Sequence, residues 1–149
     1  MILSILLAIF SLFQPAPQPK FVQVKVENQT SINLIGERPV TFGVKENMEE
    51  LLANEGYSPN DTMGVVCRVT IDSIQSPQQI LNIVGTKWLR KDYLVTLTVC
   101  MDGECKTKTG KRKTFIFAAF LEVENNEIPL NRKAFSKALL EGLRKASSI

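Results

Sequence analysis

Val99-Cys100-Met101-Asp102-Gly103-Glu104-Cys105 is the stretch that decides the fold. Asp-Gly between strand-forming residues is typical of a two-residue β-hairpin turn, because both turn positions adopt positive φ. Met101 and Glu104 then close the turn, and Cys100 and Cys105 form the next, non-hydrogen-bonded pair. The Cα atoms of such a pair lie about 4.5 Å apart, at the short end of disulfide geometry. The sequence therefore predicts a hairpin whose tip carries a Cys100–Cys105 disulfide.

Long strands are predicted on both sides of this turn. Before it, Trp88 to Val99 alternates apolar and polar residues, which indicates a strand with one buried face. After it, the chain is predicted to return as a strand from Cys105 to Glu124, with a bulge at Gly110. The second half of this return strand is predicted to face the core with Phe115, Phe117, Ala119, Leu121 and Val123.

The register of these two strands contains a conflict. If pairing starts at the turn, Val99 and Leu97 share a face with Lys106 and Lys108. Two explanations are open. Either the tip of the hairpin projects beyond the core, or the strands slip at the bulge.

The remaining elements indicate an α+β domain over residues 21–149. A helix is predicted from Phe42 to Glu55, with Gly56 at its end, and a second helix after the cap residue Asn131. The other predicted segments are strand Phe21–Asn28, short strand Ile32–Ile35, turn Ser58–Asp61, strand Met63–Ile74, polar connection Gln75–Gln79 and apolar segment Ile80–Gly85. We predict an antiparallel or mixed sheet of four to five strands with both helices packed on one face.

The N-terminus indicates export. Residues 1–13 are apolar apart from two serines, and they are too short for a membrane-spanning helix, which needs about 20 residues. We predict a signal peptide cleaved near residues 13–16, a flexible leader over residues 14–20, and no membrane span in the mature chain. A short anchor or a buried core segment is the alternative. The predicted location is extracytoplasmic, either periplasmic or secreted, and a disulfide suits such an oxidising compartment.

The composition disfavours several functions. The chain has no histidine, which is the commonest general base and metal ligand. We therefore predict no catalytic residues, no metal site and no cofactor. Cys67 lies on an apolar strand face, where a cysteine is usually a small buried hydrophobe. The net charge of +3 is too small to indicate a nucleic-acid partner.

Positive charge concentrates on the predicted hairpin. We call this set the basic ribbon, and it comprises Lys87, Arg90, Lys91, Lys106, Lys108, Lys111, Arg112 and Lys113 with the aromatic residues Trp88 and Tyr93. Its functional interpretation is a binding surface for an anionic lipid, an acidic glycan or an envelope protein. Its structural interpretation is a solvated strand whose lysines protect an exposed sheet edge from aggregation.

The order of elements resembles a known group of proteins. The predicted helix carrying Phe42-Gly43-Val44-Lys45-Glu46-Asn47-Met48 follows a strand pair, and long strands and a terminal amphipathic helix come after it. Preceded by a signal, this order resembles small bacterial envelope proteins, in particular the lipopolysaccharide-assembly lipoproteins. The resemblance implies a non-enzymatic adaptor or binding domain that contacts lipopolysaccharide or a partner through the basic ribbon. Those proteins carry a lipidated cysteine after the signal, whereas the first cysteine here is Cys67.

Three hypotheses follow from the sequence. The first is an exported envelope binding or assembly module that uses the basic ribbon. The second is a secreted protein-interaction or inhibitor-like domain that acts through a loop such as Gln75–Gln79. The third is a hydrolase with an unrecognised carboxylate site, for which a cleft that gathers two acids would be required.

Overall fold

The computed structural model describes residues 18–35, 37–117 and 130–147. Within these ranges the chain forms eight strands and two helices. The strands are β1 Lys20–Asn28, β2 Leu34–Ile35, β3 Arg38–Pro39, β4 Tyr57–Pro59, β5 Val65–Gln75, β6 Gln78–Ile83, β7 Thr86–Met101 and β8 Glu104–Phe117. The helices are α1 Val40–Asn54 and α2 Arg132–Ser147. The predicted signal peptide and leader lie almost wholly outside the described residues.

Six of the described strands form one mixed sheet. β1 is parallel to both β4 and β5, whereas β7 is antiparallel to β5, β6 and β8. β5 and β6 follow one another along one edge of β7, and β8 pairs along its other edge. The α+β prediction is confirmed, with six strands in five side-by-side positions and β2–β3 as a separate small ribbon.

The predicted hairpin is confirmed at its turn. Met101 pairs with Glu104 and Cys100 with Cys105, and the turn residues Asp102 and Gly103 have φ of 52° and 83°. The cysteines form a disulfide with their Cα atoms 4.1 Å apart. An Asp-Gly turn places these Cα atoms close together by local geometry alone.

One core lies between the sheet and the two helices. The helix-covered face of the sheet contributes the alternate residues of β1, β5 and β7, because side chains in a strand point to opposite faces. Helix α1 buries Val44, Met48 and Leu52, and helix α2 buries Phe135, Ala138 and Leu143. Gly56 follows α1 with φ of 89°, as its predicted position at the helix end requires.

Gly110 does not form a bulge, and that prediction is wrong. β7 and β8 stay in register throughout, with Gly110 opposite Val95. Helix α2 crosses β8 at this point, and a Cβ atom on Gly110 would lie 1.8 Å from the carbonyl oxygen of Ala138 and 2.5 Å from the nitrogen of Gly142. Gly110 therefore lets the helix approach the strand. The irregular register occurs instead in β5, between Ile71 and Ser73.

The same unbroken register resolves the conflict at the hairpin and corrects a second prediction. The strands do not slip, so Lys106 and Lys108 lie opposite Val99 and Leu97, on an edge strand where long side chains reach solvent.

Phe115 and Phe117 are 55% and 47% exposed and belong to the face that the helices leave open. Their prediction as core residues is wrong, and the remaining residues of that predicted face, from Ala119 onwards, lie outside the described ranges.

Two predicted connections are strands or strand ends. The predicted turn Ser58–Asp61 begins in β4, and Asn60 closes the next turn by accepting from the backbone of Thr62 and Met63. The predicted polar connection Gln75–Gln79 shortens to residues 76–77 between β5 and β6. Pro77 accepts a hydrogen bond from the backbone of Asp92 at 2.9 Å. The loop invoked for an inhibitor-like domain is therefore held along β7.

Cys67 is buried in the core, as predicted, and its environment sets its reactivity. Burial raises the pKa of the thiol to about 11, because the thiolate would lose its hydration. We expect Cys67 in the folded protein to resist thiol-modifying reagents at pH 8 and to react completely after unfolding in urea. Modification of one thiol per chain without denaturant would contradict this expectation.

Candidate functional site

The basic ribbon is divided between the two faces of the sheet. Neighbouring residues in a strand point to opposite sides, and directly paired residues of β7 and β8 share a side. The helix-covered face takes Lys87, Lys91, Tyr93, Lys106, Lys108 and Arg112. The open face takes Trp88, Arg90, Lys111 and Lys113. The ten predicted residues therefore do not form one continuous surface.

Three members of the basic ribbon are engaged inside the domain. Tyr93 is 1% exposed, and its hydroxyl accepts a hydrogen bond from the backbone nitrogen of Asn131 at 2.8 Å. Lys91 is buried above the Tyr93 ring. Arg90 donates twice to Asp92, through Nε at 2.8 Å and Nη2 at 2.6 Å. Tyr93 is thus a core residue, which corrects its prediction as a partner-binding aromatic.

Asp92 explains why Arg90 is engaged. The two residues are two positions apart on β7 and therefore lie on the same face. The bidentate hydrogen bonds from Arg90 are the main reason that the pKa of Asp92 is lowered, and the charges of Lys111 and Lys113 lower it further. Asp92 stays ionised and neutralises part of the positive charge on the open face.

A groove between β8 and α2 gathers cations from both elements. Two adjacent shallow depressions between β8 and α2 share Arg112 and Lys137 as lining residues. We call the combined depression the cationic groove. Its lining includes six cations, namely Arg112 and Lys113 from β8 and Lys133, Lys137, Arg144 and Lys145 from α2. All six residues are exposed, so they are accessible to a partner.

Glu141 is the single acid among the described residues that line this groove, and it is already paired. Its Oε1 accepts from Lys145 at 2.6 Å, and its Oε2 lies 3.6 Å from Nη1 of Arg112. The hydrogen bond from Lys145 is the largest cause that lowers the pKa of Glu141. Among the residues that the structure describes, no carboxylate pairs with Lys133 or Lys137. The groove is therefore electropositive at neutral pH.

No protein-family model and no curated protein matches the sequence. Among solved structures, a minor lipoprotein of Acinetobacter baumannii is 20% identical, with a TM-score of 0.45 over 87% of this chain and 91% of its own. A candidate lipoprotein of Caulobacter crescentus is 10% identical, with a TM-score of 0.40 over 82% of both chains.

A third similar structure comes from Chlamydia trachomatis. This hypothetical protein is 11% identical, with a TM-score of 0.33 over 62% of this chain and 73% of its own. None of the three names mentions lipopolysaccharide assembly. At these identities and TM-scores, the three structures say nothing about what this chain binds.

A second depression lies between the two helices. Glu37 and Glu46 both line it, together with Arg38 and Arg132. It gathers two acids, so the hydrolase hypothesis stays a prediction. However, both residues are exposed to solvent, whereas catalytic carboxyl groups usually lie in a cleft that excludes water. The arrangement does not favour catalysis.

Within the described ranges, no group of three or more metal-ligating side chains occurs. Neither α1 nor α2 has the length and apolar composition that would let it cross a bilayer.

Sequence reasoning overlooked the part of the cationic groove that α2 supplies. Lys133, Lys137 and Arg144 recur at helical spacing on the side of α2 that faces away from its buried stripe. That periodicity is visible in the sequence. Their meeting with Arg112 is not, because it depends on α2 crossing β8 at Gly110.

Proposed function

We propose that this chain is an exported, non-catalytic binding domain that engages an anionic lipid surface through the cationic groove. The observation that carries the proposal is the meeting of Arg112 with Lys133, Lys137 and Arg144, beside one acid that is already paired. Guanidinium and ammonium groups bind phosphate oxygens through charge-assisted hydrogen bonds. The Cys100–Cys105 disulfide supports the extracytoplasmic location.

The test is co-sedimentation with vesicles made of phosphatidylglycerol and phosphatidylcholine, compared with phosphatidylcholine alone. We expect salt-sensitive binding to the anionic vesicles. The double substitution Lys133→Glu and Lys137→Glu should weaken it by about 30-fold or more, because each cation near an anionic surface contributes about 1 kcal/mol. Both side chains are exposed, and Lys133→Glu places an acid in the first turn of α2, where it suits the helix dipole, so the fold should persist.

Lys20→Glu with Lys25→Glu provides the matched control. Both lysines are exposed on β1, and the substitutions change the net charge by the same amount. Binding of this control should change far less than that of the groove variant. Equal losses in the two variants would show that only net charge matters, and unchanged binding of the groove variant would overturn the proposal. Residues 1–13 are identical in the parent, the groove variant and the control. Any vesicle binding by this apolar segment therefore does not contribute to the differences between them.

A further inference from the structure

Exposed apolar side chains concentrate at one end of the sheet. We call this end the apolar tip, and its exposed members are Ile80, Ile83, Val84, Phe115, Ile116 and Phe117. They belong to the free end of the β6–β7 hairpin and to the segment of β8 that pairs beside it. Large apolar side chains grouped in this way mark an interaction site more often than single exposed ones do.

Val84 is the most exposed of these residues and has an unusual backbone conformation. It occupies the β6–β7 turn with φ of 47° and is 97% exposed, while Gly85 beside it has φ of 73°. A left-handed conformation is unfavourable for a β-branched residue, and Asn or Asp is the usual choice at this position. Val84 therefore lowers the stability and the solubility of the isolated domain. A residue kept under these conditions suggests a function in contact with a partner.

The shape of the apolar tip distinguishes between partners. Ile80 and Ile116 flank Leu89 on one face of the three strands. Trp88 and Phe117 lie together on the other face, with ring centroids 5.0 Å apart. A sheet end that is apolar on both faces fits a fluid apolar phase better than a single protein surface, which would cover only one of the faces.

The charges around the apolar tip favour an anionic phase. Asp92 is the only acid from Ser73 to Met101, and Arg90 neutralises it. No acid occurs from Cys105 to Phe117, where the described part of β8 ends. Lys87 adjoins the tip in sequence, and Lys113 of the cationic groove lies two residues before Phe115. Apolar and aromatic groups bordered by cations are characteristic of proteins that lie in the membrane interface.

We propose that the apolar tip inserts into the interfacial layer of an anionic bilayer. Val84 and Ile83 would enter deepest, and Trp88 would lie at the level of the headgroups. Trp88 suits that position because its ring is apolar while its Nε1 donates to Thr86 at 2.9 Å. The inference rests on the proposed function, since the cationic groove supplies the long-range attraction and the tip supplies the apolar anchor.

Trp88 is the only tryptophan in the chain and therefore reports directly on the tip. With anionic vesicles whose acyl chains are brominated near the headgroup, we expect quenching and a blue shift of its fluorescence. Val84→Asn should reduce partitioning by about tenfold, the equivalent of burying roughly one valine side chain. This variant should fold at least as well as the parent, because Asn-Gly is a favoured turn of this type.

The matched control is Met63→Asn, which removes an exposed apolar side chain from the turn before β5. It should leave both quenching and partitioning unchanged. Vesicle binding without Trp88 quenching, and unaffected by Val84→Asn, would overturn insertion while leaving the proposed function intact. If Trp88 quenching persists in the Lys133→Glu, Lys137→Glu variant, the result would support insertion of the apolar tip. It would overturn the proposed role of the cationic groove in lipid binding. Self-association in buffer that Val84→Asn abolishes would show that a second copy covers the tip instead, and would overturn the inference.

Discussion

Replacing Gly110 with alanine is expected to lower the free energy of unfolding by at least about 3 kcal/mol. The added Cβ atom would lie 1.8 Å from the carbonyl oxygen of Ala138, where backbone rather than a flexible side chain must move. Relief of this contact requires α2 to shift away from β7 and β8, which would loosen the packing of core residues such as Leu143 of α2 and Val95 of β7. Equilibrium unfolding in urea, monitored by circular dichroism, would measure the loss.

Two other glycines calibrate this expectation. Gly43 lies inside α1 with nothing within 4 Å of the position of a Cβ atom, so Gly43→Ala should stabilise the protein by about 0.5–1 kcal/mol. At Gly142 the nearest atom would be Leu97 Cδ1 at 3.1 Å, so Gly142→Ala should fall between the other two. A Gly110→Ala protein as stable as the parent would mean that α2 does not cross β8 as described.

Replacing Tyr93 with alanine is expected to cost about 4 kcal/mol. The side chain is among the largest that are fully buried, and its removal leaves a cavity between β7 and α2. It also removes the acceptor for the backbone N–H of Asn131, whose side chain caps α2 by accepting from Ala134 at 3.0 Å. The hydrogen bond that connects β7 to the start of α2 would be lost. Urea unfolding would measure this loss as well.

Trp88 and Tyr93 stand five residues apart on the same strand, which makes Trp88→Ala the natural comparison. Trp88 is half-buried on the open face, so its removal should cost only about 1 kcal/mol. Tyr93→Phe keeps the ring and should cost about 1–2 kcal/mol through the unsatisfied Asn131 N–H. If Trp88→Ala proved as destabilising as Tyr93→Ala, the assignment of one aromatic to the core and the other to the surface would be incorrect.

Much of the fold follows from patterns that act over a few residues. The Asp102-Gly103 turn predicts the pairing of Cys100 with Cys105, because both turn positions favour positive φ. The apolar stripes of α1 and α2 and the alternation in β1 and β7 predict which faces are buried. These features are local, so the sequence is sufficient to predict them.

Two errors share one cause. Gly110 was expected to bulge, and Phe115 was expected in the core, because each was judged from its own strand alone. The observed register places Phe115 opposite Arg90 and leaves Gly110 beneath a helix that is more than twenty residues away in sequence. The sequence does not distinguish a glycine that forms a bulge from a glycine that lets a helix pack closely against the strand. The packing of α2, which follows β8 in the chain, decides between the two.

The candidate site shows the same limit. The sequence shows that positively charged residues concentrate on the hairpin, but it does not show that they lie on two different faces of the sheet. Strand alternation separates Arg112 from Lys111, and Asp92 engages Arg90. The crossing of α2 then brings Lys133 and Lys137 to Arg112, a juxtaposition between residues whose separation in sequence carries no local signal.

The sequence by itself determined the hairpin, its disulfide, the α+β class and the two amphipathic helices, because turn propensity and hydrophobic periodicity are properties of neighbouring residues. Only the tertiary structure decided which cations share a surface, which aromatic residue is buried, and which end of the sheet presents the apolar tip. Those outcomes depend on where α2 packs against β7 and β8. That packing depends on contacts between distant residues, among which the absence of a side chain at Gly110 is decisive.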